Sequence, residues 1–255
     1  MSAPRVALVT GGSDGIGLAV TRALVATGHR VVLAARDASR LAEAADRIDG
    51  DVETVVMDVG DDASVAHALS RLAERVPVID VLVNNAGLVV PPSSYGDGRM
   101  EEVRRGLEVN LFGTMRLCQG VVPGMVARGW GRVINIASTA GMYGPPGLMA
   151  YSIAKAGVIA FSRSLAVEIA ASGVTVNAVS PGPVATPNYV AAKGPDAMAR
   201  RAGSIPSGRL AMPEDVAGLV AYLASEAAAH LSGQNIALDG GEAAAGPYVA
   251  MLPRA

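Results

Sequence analysis

Short runs of Val, Ile, Leu and Ala recur along this chain, and a longer stretch with helical spacing follows most of them. The candidate strands are Val6–Thr10, Arg30–Ala35, Val52–Met57, Val78–Val83, Val133–Ala137, Val174–Val179 and Asn235–Leu238. They are near-continuously apolar rather than alternating, the pattern of strands covered on both faces. Ile16–Thr27, Ala63–Arg75, Glu101–Arg128, Ala150–Ala171 and Pro213–Ser225 are the clearest helical segments. Pro213 with Glu214 and Asp215 behind it marks a helix start, because proline suits the first helical position and acids suit the positive end of the dipole. Strand and helix in alternation imply right-handed crossovers and a parallel sheet. The expectation is an α/β, doubly wound fold of about seven parallel strands with helices on both faces.

No linker divides the 255 residues and no repeat of solenoid length occurs, so 1–255 reads as one domain. The stretch 184–208 follows a strand end, has no clear strand and is rich in Pro, Gly and small residues. It reads as a substrate loop with a short helix at Pro195–Arg201. A tail, 242–255, extends past the last glycine pair.

Composition removes several function classes. Half the chain is hydrophobic (51%) and 17% is charged, which suits a packed globule. A formal net charge of -2 and no basic patch give nucleic acid nothing to bind. No run approaches the roughly 18 apolar residues of a membrane span. The N-terminal Met-Ser-Ala-Pro-Arg leads directly into Val6–Val9, too short for a signal-peptide core, so a cytoplasmic location is expected. Cys118, the one cysteine, lies in an apolar stretch and reads as a small buried hydrophobe. His29, His67 and His230 have no ligand spacing, so no metal is expected.

The first strand ends in Thr10-Gly11-Gly12-Ser13-Asp14-Gly15-Ile16-Gly17, and a helix follows. Unpaired N–H groups and partial positive charge at a helix start make a ready pyrophosphate cradle. Glycines let the backbone turn and approach the ligand, and Gly17 lets helix pack on strand. No Gly-Lys-Ser/Thr ending follows, which disfavours a triphosphate P-loop.

The spacing Thr-Gly-x-x-x-Gly-x-Gly resembles that of the short-chain dehydrogenase/reductase family, a single-domain Rossmann-fold branch of about this length, over Val6 to about Gly241. The resemblance extends to Asn84-Asn85-Ala86-Gly87 after the fourth strand and to Ser138 closing the fifth. It includes Tyr151-Ser152-Ile153-Ala154-Lys155, Asn110 within Val109–Gly113, and Ser180–Thr186 after the sixth strand. It implies an NAD(P)-dependent oxidoreductase that moves a hydride between nicotinamide and a ketone or secondary alcohol. Tyr151 would be the acid/base, Ser138 the polarising hydroxyl, Lys155 the cation that lowers the tyrosine pKa, and Asn110 the holder of a water linking Lys155 to solvent. Positions i and i+4 share a helix face, so phenol and ammonium can lie together. The basic residues are nearly all arginine, lysine standing only at Lys155 and Lys193; a compact ammonium is not interchangeable with a guanidinium.

The implied cofactor contacts are Gly11, Ser13, Asp14, Gly15, Ile16, Gly17, Arg36, Asp58, Val59, Asn85, Ala86, Gly87, Tyr151, Lys155, Pro181, Gly182, Val184 and Thr186. At the end of the second strand, where an acid would select NAD, stand Ala35 and then Arg36. Arginine can grip a 2′-phosphate, so NADP is favoured over NAD, although Asp37 and Asp14 argue the other way. Ser138, Met142, Tyr143, Pro145, Leu148, Tyr151, Pro183 and Tyr189 are the candidate substrate pocket.

The nearest likeness is to 3-oxoacyl-(acyl carrier protein) reductases and secondary-alcohol dehydrogenases. A 3-oxoacyl-thioester reductase is the alternative: Arg128 matches one carrier-docking position, while Ser172 stands at the other. A non-catalytic dinucleotide sensor would be expected to lose the Tyr/Lys/Ser set, and an extended-branch epimerase needs a longer C-terminal domain. The resemblance also implies a homotetramer built on Glu101–Arg128 and Ala150–Ala171, with a small-molecule carbonyl or alcohol as substrate.

Overall fold

A computed structural model of the chain describes residues 4–76, 78–89 and 100–246. The elements run β1 (Val6–Thr10), α1 (Gly15–Ala26), β2 (Arg30–Ala35), α2 (Ala38–Asp46), β3 (Val52–Val56), α3 (Asp62–Ala73) and β4 (Val81–Asn84). After the undescribed residues 90–99 come α4 (Met100–Leu107), a π-turn at Glu108–Phe112, α5 (Gly113–Arg128), β5 (Gly131–Ile136) and a 3₁₀ turn at Thr139–Gly141. Then follow α6 (Met149–Glu168), β6 (Val174–Pro181), α7 (Pro187–Lys193), α8 (Pro195–Ala202), α9 (Pro213–Ala224), β7 (Asn235–Leu238) and the single turn α10 (Glu242–Ala245).

The seven strands form one parallel sheet in the order β3-β2-β1-β4-β5-β6-β7. The order reverses between β1 and β4, and in open α/β sheets ligands bind outside the strand ends at such a point. Two core layers account for the apolar strands. One face buries Ala7, Val9, Val31, Leu33, Val83 and Ile134 with Leu24 of α1 and Val216 and Val220 of α9. The other buries Leu8, Val32, Leu82 and Val133 with Leu72 of α3 and Leu117 and Met125 of α5. Consecutive strand residues therefore alternate between two dry faces, which is why the runs show no polar alternation.

Three expectations change in detail. Val78–Val83 enters the sheet only at Val81, because the Asp80 carboxylate accepts from Val6 N at 2.9 Å and its backbone N–H donates to Val6 O. Glu101–Arg128 is not one regular helix, since the π-turn interrupts it at Asn110. Helix α2, which buries only Leu41 and Ala44, had too little apolar periodicity to declare itself. The short helix expected at Pro195–Arg201 is α8, and the same loop carries α7 as well. Of the tail, residues beyond 246 lie outside the described residues. Cys118 is buried and free. No helix among the described residues is long and apolar enough to cross a membrane.

Candidate active site

The glycine loop is shaped as its sequence requires. Gly11 and Gly15 hold positive φ (64° and 51°), a conformation that side chains resist. A Cβ on Gly17 would meet the Gly11 carbonyl oxygen at 2.1 Å, so only glycine lets α1 start this close to β1. Asp14 is the N-cap of α1; its Oδ1 accepts from Gly15 N at 2.7 Å. Its Oδ2 accepts from Asn188 Nδ2 of α7 at 2.8 Å and stands 3.4 Å from Arg40 Nη2. Asn85 spends its amide on Thr10 O and Gly11 O, fastening the turn after β4 to the glycine loop.

A cleft opens at the switch point between β1 and β4. Gly11 and Ser13 line it from the glycine loop, Arg36, Asp37 and Arg40 from the end of β2, Asp58 and Val59 from beyond β3, and Ala86, Gly87 and Leu88 from beyond β4. Seven of the sequence-assigned cofactor residues thus share one cleft: Gly11, Ser13, Arg36, Asp58, Val59, Ala86 and Gly87. A side chain at Gly17 would strike the Gly11 backbone and force the loop out of its tight turn at the start of α1, where unpaired N–H groups favour an anion. Pro181, Gly182, Val184 and Thr186 lie on the other flank. Thr186 caps α7 through Tyr189 N, and its methyl group covers Gly15.

Ser138 follows β5 and caps the Thr139–Gly141 turn, its Oγ accepting from Ala140 N at 3.1 Å. Its hydroxyl lies close enough to the Tyr151 phenol to favour the ionised form of that phenol. Lys155, one turn further along α6, is buried; its Nζ donates to Ile136 O at 2.7 Å and lies 5.7 Å from the centroid of the Tyr151 ring. The three side chains are therefore brought together above the ends of β4 and β5.

The expected lowering of the tyrosine pKa is corrected here. Burial pushes the Tyr151 phenol above its ordinary value, against the downward pull of the nearby Ser138 hydroxyl, and pushes Lys155 down to about 8. Desolvation disfavours the charged form of each group, and the ammonium is turned to the Ile136 carbonyl rather than to the phenol.

Asn110 has a structural task at this site. It is fully buried in the π-turn. Its Nδ2 donates to Leu88 O at 2.7 Å and Gly106 O at 2.9 Å, and its Oδ1 accepts from Leu88 N at 3.0 Å. Both amide protons go to backbone carbonyls, so the side chain clamps the segment after Gly87.

Comparison with known proteins agrees with this arrangement. The family described as enoyl-(acyl carrier protein) reductase matches residues 11–242. The chain is 41% identical to the cis-4-hydroxycyclohexanecarboxylate dehydrogenase of Sinomonas cyclohexanicum, covering 94% of this chain and 96% of that one. It is 35% identical to the 3-oxoacyl-(acyl carrier protein) reductase of Escherichia coli (strain K12), covering 93% and 96%. This chain belongs to the short-chain dehydrogenase/reductase family. An actinorhodin polyketide ketoreductase solved with NADPH superposes with a TM-score of 0.88 at 35% identity, over 94% of this chain and 97% of that one. As a member of the family the chain is an oxidoreductase acting at CH–OH and C=O carbons.

For a short-chain dehydrogenase/reductase, sequence reasoning missed several residues at this site. Arg40 was passed over because α2 was not recognised; once that helix is placed, Arg40 stands three residues after its Asp37 cap and enters the cleft. Thr10, whose hydroxyl accepts from Asn85 N and Ala86 N, looked like ordinary strand. On the substrate side, Met142 and Tyr143 are exposed at the rim beyond the Ser138 turn, and Pro183 and Tyr189 are half-buried.

Proposed function

We propose that the chain interconverts a small ketone and its secondary alcohol with NADP. The observation that carries this reading is the meeting of Ser138, Tyr151 and the buried Lys155 above the strand ends, with Lys155 Nζ 5.7 Å from the centroid of the Tyr151 ring. The nicotinamide, when bound, supplies or accepts the hydride. In the reductive direction Ser138 donates to the carbonyl oxygen and holds it, and Tyr151 gives its proton to the alkoxide as charge develops. The upward shift of Tyr151 keeps that proton in place at neutral pH. Lys155, still protonated below about 8, keeps its ammonium on the Ile136 carbonyl beside the Tyr151 ring. Asn110 acts through Leu88 by fixing the floor of the cleft. Tyr151→Phe is expected to cost about 10²–10⁴-fold in kcat while NADPH still binds; near-normal turnover would refute the assignment.

In the same reading the pyrophosphate rests on Gly11, Ser13 and Gly15–Gly17, and the nicotinamide end on Pro181, Gly182, Val184 and Thr186. Arg36 and Arg40 take the 2′-phosphate. Of the two acids that speak for NAD, Asp37 lines the cleft but spends one oxygen capping α2 through Arg40 N, and Asp14 caps α1 and holds Asn188.

The second reading, a 3-oxoacyl-thioester reductase, is favoured by the likeness to the Escherichia coli reductase. The candidate carrier-docking residues do not favour it. Arg128 donates to Ile79 O at 2.9 Å and pairs with Asp80, and the Ser172 hydroxyl donates to Ile169 O at 2.6 Å. Comparing a 3-oxoacyl thioester with a cyclic ketone under both cofactors separates the two. Exposed Phe112 and Met115 at the start of α5, with Met149 and Ile153 on α6, support a homotetramer built on these helices; only monomer in light scattering would reject it. A cytoplasmic location accords with a single buried thiol and no disulfide.

A further inference from the structure

One carboxylate oxygen at the mouth of the glycine loop has two claimants. Asp14 spends Oδ1 on Gly15 N as the cap of α1. Its Oδ2 accepts from Asn188 Nδ2 of α7 at 2.8 Å and stands 3.4 Å from Arg40 Nη2 of α2. The two donors arrive from opposite directions. Arg40 lines the cleft beyond the end of β2, with Arg36 and Asp58. Asn188 belongs to the segment that leaves β6, and β1 lies between β2 and β6 in the sheet.

The segment that carries Asn188 is built as a strap. β4 and β5 stand between β1 and β6, so a chain that leaves β6 and reaches Asp14 crosses their ends, where Ala86, Gly87 and Ser138 follow. Thr186 sets its methyl group against Gly15, and Asn188 comes just after it. No residue of α7 or α8 is buried, and Gly194 joins the two helices at a φ of 74° with nothing packed around it. Few buried contacts mark a segment that opens locally at low cost. Among the described residues, the side-chain hydrogen bonds of these helices to the rest of the fold are Asn188 to Asp14 and, at the far end of α8, Arg201 to Glu242.

We propose that Asp14 Oδ2 is a relay through which the adenosine end of the dinucleotide sets the closure of this strap. The relay rests on Arg40 taking the 2′-phosphate. A guanidinium beside the carboxylate offsets its charge and weakens the oxygen as an acceptor for Asn188. The Arg40 contact is the looser of the two and is exposed, so a phosphate in the cleft draws the guanidinium away. Asn188 then holds Oδ2 alone through a charge-assisted bond, and α7 is fastened down. A dinucleotide without the 2′-phosphate leaves Arg40 at Asp14 and the strap loosely held. Asn188 thereby discriminates between cofactors as a positioning residue that touches neither phosphate nor nicotinamide. The coupling is reciprocal, so a closed strap also tightens the hold on the 2′-phosphate. If the Asn188–Asp14 bond only fastened a surface loop, it would serve both dinucleotides alike.

The test follows release of NADPH and of NADH from the full-length protein by stopped-flow nicotinamide fluorescence, with excess oxidised cofactor as chase, and measures both affinities by calorimetry. Asn188→Ala is expected to speed NADPH release about three- to tenfold and NADH release by less than about twofold. Asn188→Asp, which sets like charge against Asp14, should show the same asymmetry more strongly. In an Arg40→Ala background nothing shares the oxygen with Asn188, so Asn188→Ala should then act equally on the two cofactors. Asn188 is exposed, so its variants should unfold at the same denaturant midpoint as the unaltered protein. Equal acceleration of both cofactors by Asn188→Ala alone, or of neither, overturns the relay. Arg40→Ala alone tests the assignment beneath it. An unchanged ratio of NADPH to NADH affinity in that variant removes Arg40 from the 2′-phosphate and the relay with it. A changed ratio beside a cofactor-independent effect of Asn188→Ala overturns the relay and leaves Arg40 in its place.

Discussion

Replacing Lys155 by methionine removes a charge that the fold holds at a cost, and that cost can be read from the pH dependence of stability. Burial lowers the Lys155 pKa from 10.5 to about 8. A shift of that size corresponds to about 3 kcal/mol at neutral pH, taking about 1.4 kcal/mol per unit. The folded chain releases the proton before the unfolded chain does. Between about 8 and 10.5 the unfolded state therefore binds more protons, and stability rises with pH. From pH 7 to 9.5 the unaltered protein should gain about 2 kcal/mol relative to Lys155→Met by this linkage. Methionine preserves most of the side-chain volume but leaves Ile136 O without the donor it has at 2.7 Å. Losing that bond costs about 1–3 kcal/mol, so near pH 7 the two effects nearly cancel. The slope is then the decisive quantity, not the difference at one pH. Urea unfolding read by Trp130, the one tryptophan, at fixed protein concentration measures it. Parallel stability curves for the two proteins over pH 7–9.5 would refute the assignment of a costly buried ammonium.

Four further outcomes follow from contacts already described. Gly17→Ala places a Cβ 2.1 Å from a backbone oxygen that cannot swing away, so dinucleotide affinity should collapse and stability fall by about 1–3 kcal/mol; calorimetric titration with NADPH checks it. Arg36→Asp should shift preference from NADP toward NAD, Arg40→Ala should do so more weakly, and the ratio of kcat/KM for the two cofactors decides. Asn110→Ala strands Leu88 N, Leu88 O and Gly106 O, so a loss of about 3 kcal/mol or more is expected, measured by denaturant unfolding. Burial lowers the His29 pKa below its ordinary 6.5. Its neutral form is the one the fold accepts, so its contribution is intact above pH 6.5 and is lost as pH falls below that value; His29→Gln should flatten the stability slope below pH 6.5.

What was legible in the sequence and what was not divide along a physical line. The strands could be read because a parallel strand covered on both faces must be apolar throughout, and the glycine loop because backbone conformation restricts residue choice at Gly11, Gly15 and Gly17. Helix α2 was illegible because it rests on the sheet edge with only Leu41 and Ala44 buried, and Arg40 was lost with it. The π-turn was illegible for a different reason. The spacing around Asn110 suits either a regular helix or a widened turn, and two of the three bonds of its amide reach 22 residues away to Leu88, beyond any local pattern. The same distinction explains the tyrosine. That Tyr151 and Lys155 share a helix face follows from their spacing, but the direction of each pKa follows from how much water the fold removes and where the ammonium points. Spacing fixes which groups can meet; burial fixes their charge. The ammonium turned to the Ile136 carbonyl, and the phenol shut away from water beside it, are consequences of burial that no spacing of residues along the helix could announce.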